Sequence, residues 1–161
     1  MATEQPAFPD ANDEFRIRSK PIFLLTYNGE TEVVVLDAEM TVRTAAALTN
    51  KRGKRQVDVE VAEWVANGRS ELLNQDISLR LEGDQPRSLV TARTFDQDFP
   101  ANLRFRMNWA VEAGGNRIDG LESQAVGTIN SFPPRPNDRF EMVGKDVQVA
   151  GVTLEGLMCA C

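Results

Sequence analysis

The chain has 161 residues, of which 42% are hydrophobic and 26% charged, with a formal net charge of −6 and no histidine. This length and composition are those of one globular domain, and the negative charge disfavours general nucleic-acid binding, which needs clustered Lys and Arg. Without histidine, Ser-His-Asp and Cys-His hydrolase designs and most catalytic zinc sites are excluded within one chain.

Residues 1–14 predict a flexible N-terminal arm, because the segment is polar and contains Pro6 and Pro9. The arm lacks the apolar core of a secretory signal, and no run of about 20 apolar residues occurs in the chain. We therefore expect a cytoplasmic protein that does not bind membranes. Phe8 is the residue of the arm that we expect to dock on a partner.

Strand patterns follow the arm in quick succession. Residues 22–27 and 32–36 flank Asn28-Gly29, a pair that favours a type I′ hairpin turn because both residues tolerate positive φ. Residues 44–48 are rich in alanine and fit one helical turn.

Three later segments alternate apolar and polar residues with the period of a half-buried strand: 57–61, 77–81 and 103–111. Between the first two, residues 62–73 combine a helix-like stripe with turn residues, and we expect a strand end, a turn and an irregular stretch. The Pro-rich segment 132–136 predicts a loop, since proline cannot donate to a strand ladder.

Together these patterns predict an all-β fold: an antiparallel β-sandwich, or a partly closed barrel, of about eight to nine strands with at most one short helix. The prediction places a single β domain over residues 15–158. A C-terminal tail with cysteines follows over residues 159–161.

The chain's two cysteines, Cys159 and Cys161, are the candidate metal ligands. Soft sulfur ligands at this spacing suit Cu(I) or Zn, although two thiolates need a second subunit to close a tetrahedral site. The alternatives are a disulfide between chains, lipid attachment, or reduced cysteines without a role. No cofactor is expected.

Two further groups of residues are candidates for contacting a protein partner. Lys51 and Arg52 belong to a basic turn that suits phosphate or an acidic patch, or that keeps a sheet edge soluble. Phe132 and Arg135 lie in the Pro-rich loop, which is placed to reach a neighbour.

Trp64 and Tyr27 are the candidate ligand-binding residues, as aromatic side chains suited to a sugar or another small molecule. Asp96 and Asp98 have the spacing of calcium-binding carboxylates, but the remaining ligands of a calcium loop do not follow in register. A solvated loop is the simpler interpretation of these two residues.

With no catalytic motif in view, the leading hypothesis is a non-catalytic structural or interaction module. It would act by self-association as a homo-oligomer, or by docking on a protein partner. The alternative is a β-barrel or sandwich that binds a small ligand, either a carbohydrate or an apolar molecule. A third hypothesis is an enzyme that works through carboxylates or lysine.

Overall fold

The computed structural model describes residues 7–113, 115–135, 138–144, 147–149 and 152–160; for Arg139 and beyond Glu141 the description covers the backbone. The described residues form twelve strands: β1 (Glu14–Tyr27), β2 (Glu30–Val35), β3 (Asp37–Thr44), β4 (Leu48–Thr49), β5 (Arg55–Ser70), β6 (Gln75–Leu81), β7 (Ser88–Ala92), β8 (Ala101–Ala113), β9 (Asn116–Ile129), β10 (Arg139–Gly144), β11 (Val147–Val149) and β12 (Val152–Ala160).

The strands close into an irregular ring. Its order is β1-β3-β5-β6-β8-β9-β10-β12, and β12 pairs with β1 to complete it. The other strands attach to this ring: β2 beside β1, β4 on β5, β7 between β5 and β8, and β11 on β12. All of these pairings are antiparallel, which confirms the predicted all-β antiparallel fold, a sandwich or partly closed barrel.

The described residues contain more strands than predicted, because two positions of the ring are each filled by two strands and because the short strands β4 and β11 add two more. β2 and β3 follow each other along β1 with a bend at Leu36, whose N–H donates to the carbonyl of Pro21 at 2.8 Å. In the same way β6 and β7 share the space between β5 and β8. No helix forms in the described residues, and this part of the chain therefore contains no helix that could cross a membrane.

The hairpin turn at Asn28-Gly29 is confirmed, since both residues have positive φ, 50° and 77°. Two local expectations are wrong. Residues 45–47 connect β3 to β4 without a helical turn, and β5 continues to Ser70 where a turn and an irregular stretch were expected.

A β-bulge explains the second error. Val42 pairs with Val61 while Thr41 pairs with Glu63, so Ala62 is an extra residue in β5. Before the bulge the buried positions end at Val61, and after it they resume at Trp64. The alternation on which the sequence prediction depended is therefore broken at this point.

The N-terminal residues that are described, 7–13, run beside the end of β3. The amide of Asn12 donates to the carbonyl of Thr44 at 2.7 Å, and the Thr44 hydroxyl donates to the carbonyl of Asp10 at 2.7 Å. These bonds hold this segment against the end of the ring where β3 ends, and Phe8 belongs to the buried core there.

Candidate functional site

Three aromatic side chains meet inside the ring: Phe23 on β1, Trp64 on β5 and Trp109 on β8. The ring centroids of Trp64 and Trp109 are 6.1 Å apart in an edge-to-face arrangement, and those of Phe23 and Trp109 are 6.4 Å apart. Because β1 and β8 lie on opposite sides of the ring order, the contact between Phe23 and Trp109 crosses the interior. We call these three residues the aromatic cluster.

Two buried polar atoms beside the aromatic cluster have no hydrogen-bond partner within the described part of the chain: Trp109 Nε1 and Ser123 Oγ. Trp109 pairs with Leu121, and Met107 pairs with Ser123, so Trp109 and Ser123 are diagonal neighbours on the inward faces of β8 and β9. Their exposed fractions are 4% and 8%. A buried donor without an acceptor costs about 1–3 kcal/mol, which a bound acceptor would recover.

The walls next to these two atoms are apolar. Phe105 on β8 and Phe140 on β10 are both buried, with ring centroids 6.4 Å apart across β9. Met107 is the next inward residue after Phe105 on β8, and Ala125 pairs with Phe105 on β9. These four side chains belong to the buried hydrophobic core, and apolar surroundings with a few placed polar atoms are typical of small-molecule sites.

The structure places the two predicted ligand-binding residues differently. Trp64 belongs to the aromatic cluster and is only 2% exposed. Tyr27 lies at the end of β1, half-buried and packed against the core next to the hairpin turn. A ligand-binding role for either residue stays a prediction.

Trp109 and Ser123 were not among the predicted site residues. The alternation of β8 marked Trp109 as a core residue, and no sequence signal distinguishes a core tryptophan whose N–H lacks an acceptor. Ser123 lies in β9, where most residues are exposed or half-buried and the alternation is weak.

Phe8 packs within its own chain. Its ring meets that of Phe99 edge-on at 5.2 Å, and its amide donates to Asp98 Oδ2 at 2.9 Å. Asp98 also forms an ion pair with Arg55, with Nε and Oδ1 2.7 Å apart. This carboxylate therefore anchors the N-terminal segment to the start of β5.

The Pro-rich loop after β9 is also tied to its own chain. Phe132 meets Phe15 edge-on with ring centroids 5.3 Å apart. The amide of Arg135 donates to Asp138 Oδ2 at 2.8 Å, while the Arg135 side chain is exposed.

Lys51 and Arg52 lie in the turn between β4 and β5, beside a groove of about 850 Å³ on the outer face of the ring. This outer groove is separate from the ring interior, since its floor is made by the outward faces of β5, β7, β8, β9 and β10.

The predicted cysteine metal site falls mostly outside the described residues. Cys161 is not described, and the backbone of Cys159 pairs with Pro21 of β1 and Phe140 of β10. Within the described ranges, no group of three or more His, Cys, Asp or Glu side chains is arranged to hold a metal ion.

Comparison with known proteins gives a likeness of fold. No protein-family model matches the chain, and no curated protein matches it. Among solved structures, the chain is similar to DynF from the dynemicin biosynthesis pathway of Micromonospora chersina, with a TM-score of 0.73 and 14% sequence identity. The match covers 99% of this chain and 84% of that chain.

This likeness corrects the leading functional hypothesis. The interpretation as a non-catalytic structural or interaction module is wrong, because the chain's fold is similar to that of DynF, a protein from a biosynthesis pathway.

Proposed function

We propose that the protein binds a small apolar molecule that carries a hydrogen-bond acceptor, inside the ring of strands. The observation that carries this proposal is the pair of buried polar atoms without a partner, Trp109 Nε1 and Ser123 Oγ, set in an apolar wall. A carbonyl or ether oxygen bound beside them would offer an acceptor to either group.

The chemistry of the interior favours an apolar ligand over a carbohydrate. A sugar carries several hydroxyl groups, each of which needs a partner when it is buried. The inward faces near Trp109 and Ser123 offer mainly aromatic and aliphatic contacts. Flat ring systems stack well on such faces, and burial of their apolar surface supplies most of the binding free energy.

The interior also suits binding better than acid–base catalysis. The buried polar residues of the described part are serines and threonines: Ser19, Thr44, Ser70, Ser88 and Ser123. Hydroxyl groups orient a ligand through hydrogen bonds but, without an adjacent base, do not act as general acids or bases near neutral pH. The likeness to DynF supports the same proposal, since a biosynthesis pathway handles small molecules.

A matched pair of probes tests this proposal. Fluorenone and fluorene have nearly the same shape, but only fluorenone carries a carbonyl acceptor. Their binding is followed through the fluorescence of the chain's two tryptophans. We expect fluorenone to bind about tenfold more tightly, the effect of roughly one or two recovered hydrogen bonds.

The variants Ser123→Ala and Trp109→Phe each remove one donor. Each is expected to reduce the preference for fluorenone, while Thr41→Ala, an outward-facing change on β3, leaves it intact. Urea unfolding of Ser123→Ala serves as the folding control, and its stability should equal or exceed that of the parent because an unpartnered hydroxyl is removed. Equal affinity for the two probes, or a preference unchanged in both donor variants, would refute the proposal.

A further inference from the structure

The outer groove crosses four neighbouring strands in a polar row. Gln56 of β5 pairs with Thr91 of β7, Thr91 pairs with Asn102 of β8, and Asn102 pairs with Thr128 of β9. All four side chains line the groove. Amide and hydroxyl groups in a line across the sheet offer both donors and acceptors to a ligand with several hydroxyl groups.

The side-chain hydrogen bonds that residues of the polar row make are long, 3.3 to 3.5 Å between donor and acceptor. Thr128 Oγ1 and Asn102 Oδ1 are 3.5 Å apart, and Asn50 Nδ2 lies 3.4 Å from Gln56 Oε1. Bonds of this length are weak. The polar row can therefore exchange them for hydrogen bonds to a bound molecule at little cost.

Four cationic side chains line the groove. Its lining includes Lys51, Arg52, Lys54 and Arg104. Within the described part of the chain, the ion pairs involve other residues and leave these four cations without a carboxylate within 4.0 Å. On a chain whose net charge is −6, such a group creates a local positive field that attracts anions.

The acidic residues near the groove fix where an anionic group would sit. Glu141 of β10 itself lines the groove, and it lies two strands away from Arg104, because Arg104 pairs with Val126 and Val126 pairs with Glu141. Asp58, at the other end of this line, is paired with Arg87 at 3.1 Å. An anionic group is therefore favoured between Arg104 and the basic turn, on the side away from Glu141.

The basic turn is held in place before any ligand arrives. Asn50 Oδ1 accepts from the amides of Arg52 and Lys54 at 2.9 and 3.1 Å, and the Asn50 amide donates to the Lys54 carbonyl at 2.8 Å. Gly53 has a φ of 80°, and Phe95 lies beside it. A wall that is already ordered loses less conformational entropy on binding.

From the polar row, the four cations and the ordered wall, we propose that the outer groove binds a small hydroxylated anion of the sugar-phosphate or sugar-acid class. The four cations bind the phosphate or carboxylate, and the polar row binds the hydroxyl groups. This site is distinct from the ring interior, so each site is tested separately.

Isothermal titration calorimetry with four probes tests the proposal: glucose 6-phosphate, glucuronate, glucose and inorganic phosphate. We expect at least one of the two anionic sugars to bind with a Kd of about 1 mM or below. Glucose carries only the hydroxyl groups and inorganic phosphate only the anionic group, so each should bind at least about tenfold more weakly. The two anionic sugars distinguish a phosphate site from a carboxylate site.

Charge variants locate the binding. Arg104→Gln and Arg52→Gln should each lower the affinity for the tighter-binding anionic sugar by about tenfold. Arg18→Gln removes an exposed cation on β1, outside the groove, and should change the affinity less than about twofold. Ser123→Ala is the interior control, and it should leave the affinity unchanged.

Three results would overturn the proposal. The first is no heat from either anionic sugar at about 10 mM. The second is an affinity that Arg104→Gln and Arg52→Gln leave unchanged. The third is inorganic phosphate or glucose binding as tightly as the anionic sugars, which would show that the polar row and the cations do not act together.

Discussion

Arg117 is the centre of a charged cluster on the outer face of the ring. Its guanidinium donates to Asp119 and to Glu82, with Nη2 3.0 Å from Glu82 Oε1, and it lies 3.4 Å from Glu112. The hydrogen bond from Arg117 lowers the pKa of Asp119 below its ordinary value of 3.8. Because the folded-state pKa is depressed, the contribution of this pair to stability is present above pH 3.8 and is lost as the pH falls through the lower folded value.

Replacing Arg117 by alanine removes both the hydrogen bond and the positive charge, so the pKa of Asp119 should rise towards 3.8. Carboxyl 13C shifts followed from neutral to acidic pH measure this change directly. Arg16→Ala, which removes the partner of Glu39 on another strand, should leave the Asp119 titration unchanged. An Asp119 midpoint that does not move in Arg117→Ala would show that water, and not Arg117, sets its pKa.

At the scale of elements, the bend between β2 and β3 lies in close contact with β5 at Gly68. A Cβ added to Gly68 would lie 2.3 Å from Leu36 Cδ2 and 3.2 Å from the carbonyl oxygen of Val35. Leu36 is completely buried and has little room to move. The close approach explains why this position of a long strand carries glycine.

Gly68→Ala should therefore destabilise the protein by about 1–3 kcal/mol through overpacking. The double variant Gly68→Ala/Leu36→Ala tests the cause, because removing Cδ2 opens the space that the new methyl group needs. Urea unfolding should show the double variant to be more stable than the sum of the single effects predicts. Strict additivity would mean that Leu36 does not cause the strain.

The sequence predicts the regular strands well and the interruptions poorly. The alternation in β8 points Phe105, Met107 and Trp109 inward, and the structure agrees. It fails at Ala62, because a bulge depends on the register with β3, which lies outside the local pattern. The same limit applies to the candidate site. The alternation predicts that Trp109 is buried, but whether its N–H finds an acceptor depends on how the interior packs.

At the scale of the whole molecule, the order of strands was beyond prediction from the sequence. The ring closes where β1 pairs with β12, as in Ile22 with Met158, two residues at opposite ends of the chain. Closure leaves β1 with partners on both sides over its second half, β2 on one side and β12 on the other. The interior with Trp109 and the outer groove with Arg104 are thus the two faces of one sheet.

If closure of the ring by β12 maintains the interior site, a chain that ends at Gly144 should lose the closed ring and the interior site together. Without β12, the edges of β1 and β10 present unpaired N–H and C=O groups, which promote association between chains. We expect this shortened chain to form oligomers or aggregates in size-exclusion chromatography with light scattering, and to lose fluorenone binding. A chain starting at Ala7 keeps every described strand and is the matched control, expected to elute and bind like the parent. A shortened chain with the parent's size and fluorenone affinity would show that β12 is dispensable for both the ring and its interior site.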